Sequence, residues 1–304
     1  MHNVQLIHNP TAGDEEHNRE SLLAQIKAAS FECRYSSTKE VGWKKTIDKD
    51  AELIAIAGGD GTVRKVVKQL FKQKLTRIPI AVLGLGTANN IAKAFGAYGN
   101  TEDVIQNWKN AQVKKVDIGL VQNVPGIDFF LEGFGFGIFP YLMKEMEKLE
   151  EEFPSPEEEL KAAQKKLHKI LMDYEPRQCQ LEVDGTDHSG KFFMVEVMNI
   201  RSIGPNMVLA PMADAGDGEL DVVLVPEAHK EKFSDFLLHK LSGGDTDTYQ
   251  FHTLKAKNIT IRWDGTRLHA DDEMLKMERE VEVKISVKEG ALQFIVPQDE
   301  SANR

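Results

Sequence analysis

The first 120 residues alternate short apolar runs with segments whose apolar residues recur at helical spacing. The run 53–57 is apolar at every position, as expected for a strand that is buried on both faces. Similar patterns predict strands at 4–8, 32–36 and 78–83, and helices at 21–29, 62–71, 88–95 and 102–109. This alternation predicts an N-terminal α/β domain with a doubly wound parallel sheet and helices on both of its faces.

From about Val113 the pattern changes to short alternating or apolar runs separated by turn signals such as Asp-Gly. The runs lie at 115–120, 180–183, 192–197, 220–225, 258–262 and 281–287. Closely spaced strands of this kind predict a C-terminal antiparallel β-sandwich, interrupted by a helical insertion at about 141–174. We therefore predict domains at 1–118 and 119–297, with a C-terminal strand that can return to the first domain.

Composition limits the classes of function. The 304 residues include 41% apolar residues, enough for a large core, and 38 basic against 48 acidic residues give a net charge of −10. A chain this acidic is not expected to bind nucleic acid, and its contact with an anionic membrane is expected to be peripheral and transient. The two cysteines form no CxxC pair, and neither a signal peptide nor an apolar run of about 18 residues is found, so we expect a cytoplasmic protein.

The sequence Gly58-Gly59-Asp60-Gly61-Thr62 lies between a predicted buried strand and a predicted helix. Glycine allows a backbone to approach a phosphate closely, and the N-terminal end of the following helix attracts an anion. Asp60 would repel a phosphate directly, but it could bind the Mg²⁺ that accompanies a nucleotide. The alternative is an ordinary strand-to-helix turn in which Asp60 is the helix N-cap.

A second loop, Gly84-Leu85-Gly86-Thr87-Ala88-Asn89-Asn90, follows the next predicted strand. It offers glycines, a hydroxyl and two amides, and an ordinary capped turn is the alternative interpretation. The loops match neither a Walker A motif nor a dinucleotide-binding fingerprint. Because the carboxyl ends of neighbouring parallel strands lie at one edge of a sheet, the two loops are expected to lie together.

These loops, together with Asn9-Pro10-Thr11-Ala12-Gly13, resemble the diacylglycerol kinase catalytic domain superfamily, in particular its soluble bacterial lipid kinases. The resemblance continues through Val116-Asp117, Leu209-Ala210-Pro211-Met212-Ala213 and the run Asp217 to Val222, and Asp271-Asp272-Glu273 stands where the family carries Asp-Gly-Glu. It implies a nucleotide-binding α/β domain, a β-sandwich domain and an active site in the cleft, with ATP and Mg²⁺ as cofactors.

The resemblance also implies roles for single residues. The implied nucleotide-binding residues are Asn9, Thr38, Gly58, Gly59, Asp60, Gly61, Thr62, Val63, Arg64, Gly86, Thr87 and Asn90. Glu273 is implied as the general base and Asp60 as a second catalytic residue. Asp214, Asp217 and Glu219 are implied as a Mg²⁺ site, partly through backbone carbonyl groups; a polar surface turn is the alternative.

Two departures from the family pattern affect the expected function. Asn90 stands where the family usually has Asp, and Asp272 stands where it usually has Gly, so the turn before Glu273 must avoid a positive φ at Asp272 or tolerate strain. We expect a lipid kinase that acts on a primary hydroxyl of a diacylglycerol-like or sphingoid-like lipid, presented by a membrane or a carrier. An NAD kinase and a catalytically weakened nucleotide- or lipid-binding module are the alternatives, and a homodimer is left open.

One motif lies outside these assignments. Gly133-Phe134-Gly135-Phe136-Gly137 alternates glycine with an aromatic residue. It can belong to the sandwich core, with glycines that permit close packing, or form one wall of an acyl-chain pocket.

Overall fold

We describe the protein from a computed structural model, in which residues 3–13, 17–149, 153–244, 246 and 249–298 are described. The chain divides into two compact units. The first contains Met1–Val116 and Gly290–Arg304, and the second contains Asp117–Glu289. Residues 150–152, within the predicted helical insertion, lie outside the described residues.

The first unit is an α/β fold with parallel strands. Its elements are β1 (Asn3–His8), α1 (Arg19–Ala28), β2 (Glu32–Ser37), β3 (Leu53–Gly58), α2 (Asp60–Gln73), β4 (Ile80–Gly84), α3 (Asn90–Ala94), α4 (Thr101–Asn107) and the start of β5 (Gln112–Gln122). The strand order is β4-β3-β1-β2, and every one of these neighbours is parallel. The predicted parallel α/β domain is confirmed.

Strand β3 explains the order of this sheet. All six of its residues are buried, because one face packs with α1 and α4 while Ile54 and Ile56 point to the opposite side. A continuously apolar strand is stable only in the interior of a sheet that is covered on both faces. The position of β3 places the loop that follows it at the centre of the carboxyl edge.

The second unit is rich in antiparallel strands. It contains the end of β5, then β6 (Phe129–Phe130), β7 (Gly133–Gly137), α5 (Ile138–Glu147), α6 (Pro156–Asp173), β8 (Arg177–Val183), β9 (Thr186–Asp187), β10 (Gly190–Met198), β11 (Ser202–Ile203), β12 (Met207–Val208), β13 (Leu220–Pro226), α7 (Lys230–Leu241), β14 (His252–Ala256), β15 (Asn258–Trp263), β16 (Arg267–Ala270), β17 (Glu273–Lys276) and most of β18 (Glu282–Val296). The predicted antiparallel C-terminal domain is confirmed.

Two apolar cores stabilise this unit. One lies among the strands and includes Phe134, Phe136 and Trp263. The other lies where the predicted insertion, α5 and α6, packs with α7 on the strands. The short strand β7 contributes to the first core through its two phenylalanines, which favours the core interpretation of the Gly-Phe repeat.

The last strand serves both units. Its first half pairs antiparallel with β15 in the second unit, and Phe294 near its end pairs parallel with Ile80 of β4 in the first unit. A strand of 15 residues is long enough to do both. Among the described residues, no helix combines the length and the apolar character needed to cross a membrane.

Candidate active site residues

The two glycine loops of the first unit meet where β3 and β4 end. Gly58 and Gly84 are register partners in the parallel pair, and the amide of Leu85 donates to the carbonyl oxygen of Gly58 (3.1 Å). A Cβ added to Gly86 would lie 2.6 Å from the Cα of Gly59. The two loop backbones are therefore in direct contact.

Glycine is required in these loops by close approach. Gly58, Gly59 and Gly86 all avoid a positive φ, so other residues could adopt their backbone conformations. A Cβ on Gly58, however, would lie 2.7 Å from the side chain of Thr62. Side chains at these positions would separate the loops or displace Thr62.

The N-terminal end of α2 faces this junction. Its N-cap residue is Gly59, which offers no side chain to accept a hydrogen bond from the first turn. The first amides of a helix lack intrahelical acceptors and carry the positive end of its dipole. The end of this 14-residue helix thus suits an anion such as a phosphate.

Asp60 joins the two loops. One oxygen of its carboxylate accepts a hydrogen bond from the amide of Asn90 and the other accepts one from the amide of Ile91, both at 3.0 Å. These are the first amides of α3, so the negative charge of Asp60 lies at the positive end of that helix. Asp60 therefore caps α3 across 30 residues of sequence, while its predicted catalytic role stays a prediction.

The other predicted nucleotide-binding residues lie at the same edge of the sheet. The amide of Asn9 donates to Ala57 at 2.8 Å, and its side-chain amide donates to the Thr62 hydroxyl at 3.3 Å. The amide of Thr38 donates to His8 at 2.8 Å, at the ends of β1 and β2.

Five further predicted nucleotide-binding residues differ in how far they are exposed. The side chains of Val63, Arg64 and Asn90 are buried, whereas Gly61 and Thr87 are partly exposed. Val63 packs in the interior as a helix residue, so its side chain is not available to a nucleotide. The binding role of these five residues stays a prediction.

In the second unit, the predicted metal residues lie in an irregular loop at 214–219. Asp214 accepts a hydrogen bond from the amide of Gly216, and Asp217 accepts one from the amide of Glu219, each at 3.0 Å. Within the described ranges, no three His, Cys, Asp or Glu side chains converge in a way that could hold a metal ion. The Mg²⁺-binding role of Asp214, Asp217 and Glu219, which the resemblance assigns partly to backbone carbonyl groups, stays a prediction.

Asp117 anchors the same loop from within the unit. Its buried carboxylate accepts a hydrogen bond from the amide of Gly218 at 2.8 Å, and its amide donates to Ala215. Gly218 has a φ of +80°, a conformation that favours glycine. Asp117, the first residue of the second unit, therefore has a structural function in shaping the loop.

Lys255 supplies positive charge to the loop. Its ammonium group lies 2.7 Å from the carboxylate of Asp217 and 2.9 Å from that of Asp221. Lys255 and Asp221 face each other across β14 and β13. Burial raises the pKa of Asp221. Burial lowers the pKa of Lys255, but the two carboxylates together hold it above its ordinary value.

We expect the nucleotide-free protein to unfold at the same temperature with and without a divalent-ion chelator, because Lys255 already pairs with Asp217 and Asp221. Lys255→Met should destabilise it by about 1–3 kcal/mol, since Asp221 loses its cation while it stays buried. Differential scanning calorimetry measures both effects. Lys257→Met is the control, because its partner Glu289 and Lys257 itself are exposed and such pairs contribute little. A lower unfolding temperature in chelator would contradict this account and favour the predicted metal.

Glu273 is the first residue of β17, an edge strand of the second unit, and it is exposed. It pairs with Ala270 across a two-residue turn formed by Asp271 and Asp272. Asp271 has a φ of +52°, whereas Asp272 does not have a positive φ. The turn thus places its left-handed residue one position before the site where the family usually has glycine.

The Asp271 side chain explains how this turn is held. Its buried carboxylate accepts hydrogen bonds from three consecutive amides, those of Leu131, Glu132 and Gly133, at 2.7–3.2 Å. The amide of Asp271 donates in turn to Gly133 at 2.8 Å. Sequence analysis missed this function of Asp271, because its partners lie about 140 residues away.

Comparisons with known proteins agree with this architecture. Residues 3–121 match the family model described as the diacylglycerol kinase catalytic domain, and residues 147–296 match that of the YegS C-terminal NAD kinase beta sandwich-like domain. A diacylglycerol kinase of Bacillus subtilis is 25% identical over 272 residues, covering 86% of each chain. One from Staphylococcus aureus is 22% identical over 299 residues, covering 92% of this chain and 91% of its own.

Solved structures show the same fold. A putative diacylglycerol kinase from Bacillus anthracis superposes with a TM-score of 0.74 at 21% identity, covering 98% of both chains. A second structure of a diacylglycerol kinase from that organism gives a TM-score of 0.73 at 22% identity. At this identity the likeness concerns the fold.

Proposed function

This chain belongs to the diacylglycerol kinase catalytic domain superfamily and is a kinase, and from that premise we propose that it transfers the γ-phosphoryl group of ATP to a primary hydroxyl of a lipid. The acceptor class is a diacylglycerol-like or sphingoid-like lipid. The product is a lipid phosphate monoester, which belongs to phospholipid metabolism. The reaction takes place in the cytoplasm, on a lipid presented by a membrane or a carrier.

The observation that supports the proposal most directly is the junction of Gly59 and Gly86 at the N-terminal end of α2. Phosphoryl transfer depends on positioned phosphates and on stabilisation of their charge rather than on covalent chemistry by the protein. Backbone amides at a helix end supply both without a side chain in the way. Asp60 keeps the second loop in place by capping α3.

The proposed reaction needs one proton acceptor. The oxygen of the lipid hydroxyl forms a bond to the γ-phosphorus while the bond from that phosphorus to the bridging oxygen of ADP breaks. The proton of the hydroxyl moves to the Glu273 carboxylate, which is exposed and therefore accessible. Mg²⁺, when bound with ATP, neutralises charge on the phosphates.

An NAD kinase is the second candidate, favoured by the family description of residues 147–296. Its acceptor would be the ribose hydroxyl of a dinucleotide. It uses the same loops of the first unit and differs in the acceptor that the second unit binds. A catalytically weakened binding module is the third alternative, with Asn90 as its basis.

We expect purified protein, given γ-labelled ATP and Mg²⁺, to label one lipid class in mixed micelles containing diacylglycerol, monoacylglycerol, sphingosine or ceramide. Thin-layer chromatography separates the products, and a parallel reaction with NAD is scored for NADP. Labelled lipid with no NADP supports the proposal. NADP alone would favour the NAD kinase, and no product in either reaction, with nucleotide bound, would favour the binding module.

A further inference from the structure

The Gly-Phe repeat of β7 leaves room for two buried polar side chains. Strand β7 lies between β10 and β16, and Gly135 is the register partner of both Glu196 and His269. A Cβ on Gly135 would lie 2.0 Å from the carboxylate of Glu196. Glycine at this position therefore allows Glu196 to reach across β7 to His269.

Glu196 and His269 form a pair inside the second unit. The two side chains are 0% and 2% exposed, and a carboxylate oxygen of Glu196 lies 3.0 Å from Nε2 of His269. The edge of the Phe139 ring packs on the imidazole. Burying an ion pair carries a desolvation cost that the mutual attraction does not always repay, so apolar residues could have stabilised this site equally well.

Hydrogen bonding determines which atoms of Glu196 and His269 carry a proton. Nδ1 of His269 lies 3.2 Å from the carbonyl oxygen of Asp271, which can only accept, so Nδ1 carries a hydrogen. One further proton is then shared between Nε2 and the Glu196 carboxylate. Burial lowers the pKa of His269, but the Glu196 carboxylate and the Asp271 carbonyl together raise it more, and burial raises the pKa of Glu196, so the pair retains this proton.

His269 provides one of the contacts that hold Asp271 in place. The carbonyl of Asp271 accepts from His269, its amide donates to Gly133, and its carboxylate binds the three amides of 131–133. Asp271 is held in a left-handed conformation two residues before Glu273. The direction in which Glu273 leaves this turn depends on these contacts.

We infer that His269, which Glu196 holds in the space left by Gly135, positions Glu273 for the reaction by fixing the backbone of Asp271 through its hydrogen bond to the Asp271 carbonyl. The inference rests on the proposed function of Glu273 as the proton acceptor. The pair acts through Asp271 and touches no substrate. Its function is to fix the direction in which the Glu273 carboxylate points.

Two substitutions of His269 separate the two hydrogen bonds of its ring. His269→Asn keeps a donor near the position of Nδ1 and loses the contact with Glu196, whereas His269→Gln keeps the contact with Glu196 and loses the donor to Asp271. We expect His269→Gln to lower kcat by about 10²-fold with an unchanged KM for ATP, because a small misplacement of a catalytic group has an effect of this size. His269→Asn should retain more of the activity.

Hydrogen exchange gives a measurement that is independent of activity. In His269→Gln the amides of 131–133 should exchange faster, because the carboxylate that binds them is no longer fixed. Val195→Ala is the matched control, since Val195 precedes Glu196 on β10 and lies in the core among the strands. This variant is expected to keep the value of kcat, and it shows how much a loss of stability alone speeds the exchange of 131–133.

Equal kcat in His269→Gln and the wild type would overturn the inference, and so would an equal loss in both His269 variants. If neither variant folds, nitrogen NMR of the wild-type imidazole decides, and a bare Nδ1 would overturn it. A wild type that phosphorylates neither lipid nor NAD refutes the proposed function instead. The exchange and NMR results then still judge whether the pair fixes the turn.

Discussion

Glu273→Gln is expected to lower the rate of phosphoryl transfer by about 10²–10⁴-fold, the range that a positioned general base contributes. The amide has the same size as the carboxylate but cannot accept the proton of the lipid hydroxyl. Glu273 is exposed at the start of β17, so the fold and nucleotide affinity should be unaffected. Initial rates with labelled ATP and calorimetric titration with a non-hydrolysable ATP analogue measure the two properties.

The neighbouring carboxylate offers a matched control for this prediction. Asp272 is exposed in the same turn, and Asp272→Asn removes an equal charge without removing the proposed base. We expect nearly normal rates from it. Full turnover by Glu273→Gln would refute the assignment of Glu273 as the base. An equal loss in both variants would also refute it and would indicate a local electrostatic effect instead.

Gly86→Ala is expected to weaken nucleotide binding by about 10²-fold, roughly the loss of one or two hydrogen bonds to a charged phosphate, because the two glycine loops can no longer touch. The new Cβ would lie 2.6 Å from the Cα of Gly59, and a backbone atom cannot move away as a flexible side chain can. The φ of Gly86 is not positive, so strain in its own backbone does not contribute. Calorimetric titration with the ATP analogue measures the affinity.

Two further variants test whether the clash between the two glycine loops is the cause of the weaker nucleotide binding. At Gly59 the added Cβ would lie 3.2 Å from the Cα of Gly86, so Gly59→Ala should weaken binding less. Ile80→Val removes one methyl group at the opposite end of β4 and should cost about 1 kcal/mol of stability without changing affinity. Unchanged affinity in Gly86→Ala would show that the junction does not bind the nucleotide.

The first unit was predictable from sequence because its signals are local. The run 53–57 is apolar throughout and became β3, and the stripe at 62–71 became most of α2. Parallel strands with intervening helices follow from this alternation. The boundaries moved by a few residues, since a helix end depends on capping contacts such as those that Asp60 makes to α3.

The second unit was less predictable. Strand β7 was missed, because three of its five residues are glycine, which is unfavourable in strands unless another group needs the space. That group is Glu196, about 60 residues later in the chain. Helix α7 was missed too, because its apolar residues Phe233, Phe236 and Leu237 are buried by distant partners, which include α6, β13 and Phe251.

The sequence by itself determined the class of both units, the two glycine loops and the order of the family motifs, because periodicity and short motifs act over a few residues. The tertiary structure decided how the carboxylates are used: Asp60 caps α3, Asp217 pairs with Lys255, and Asp271 binds the amides of 131–133. A carboxylate binds whichever donors the packed chain brings within about 3 Å, and those donors lie 30 to 140 residues away. No pattern along the chain indicates which distant donors will contact a given carboxylate.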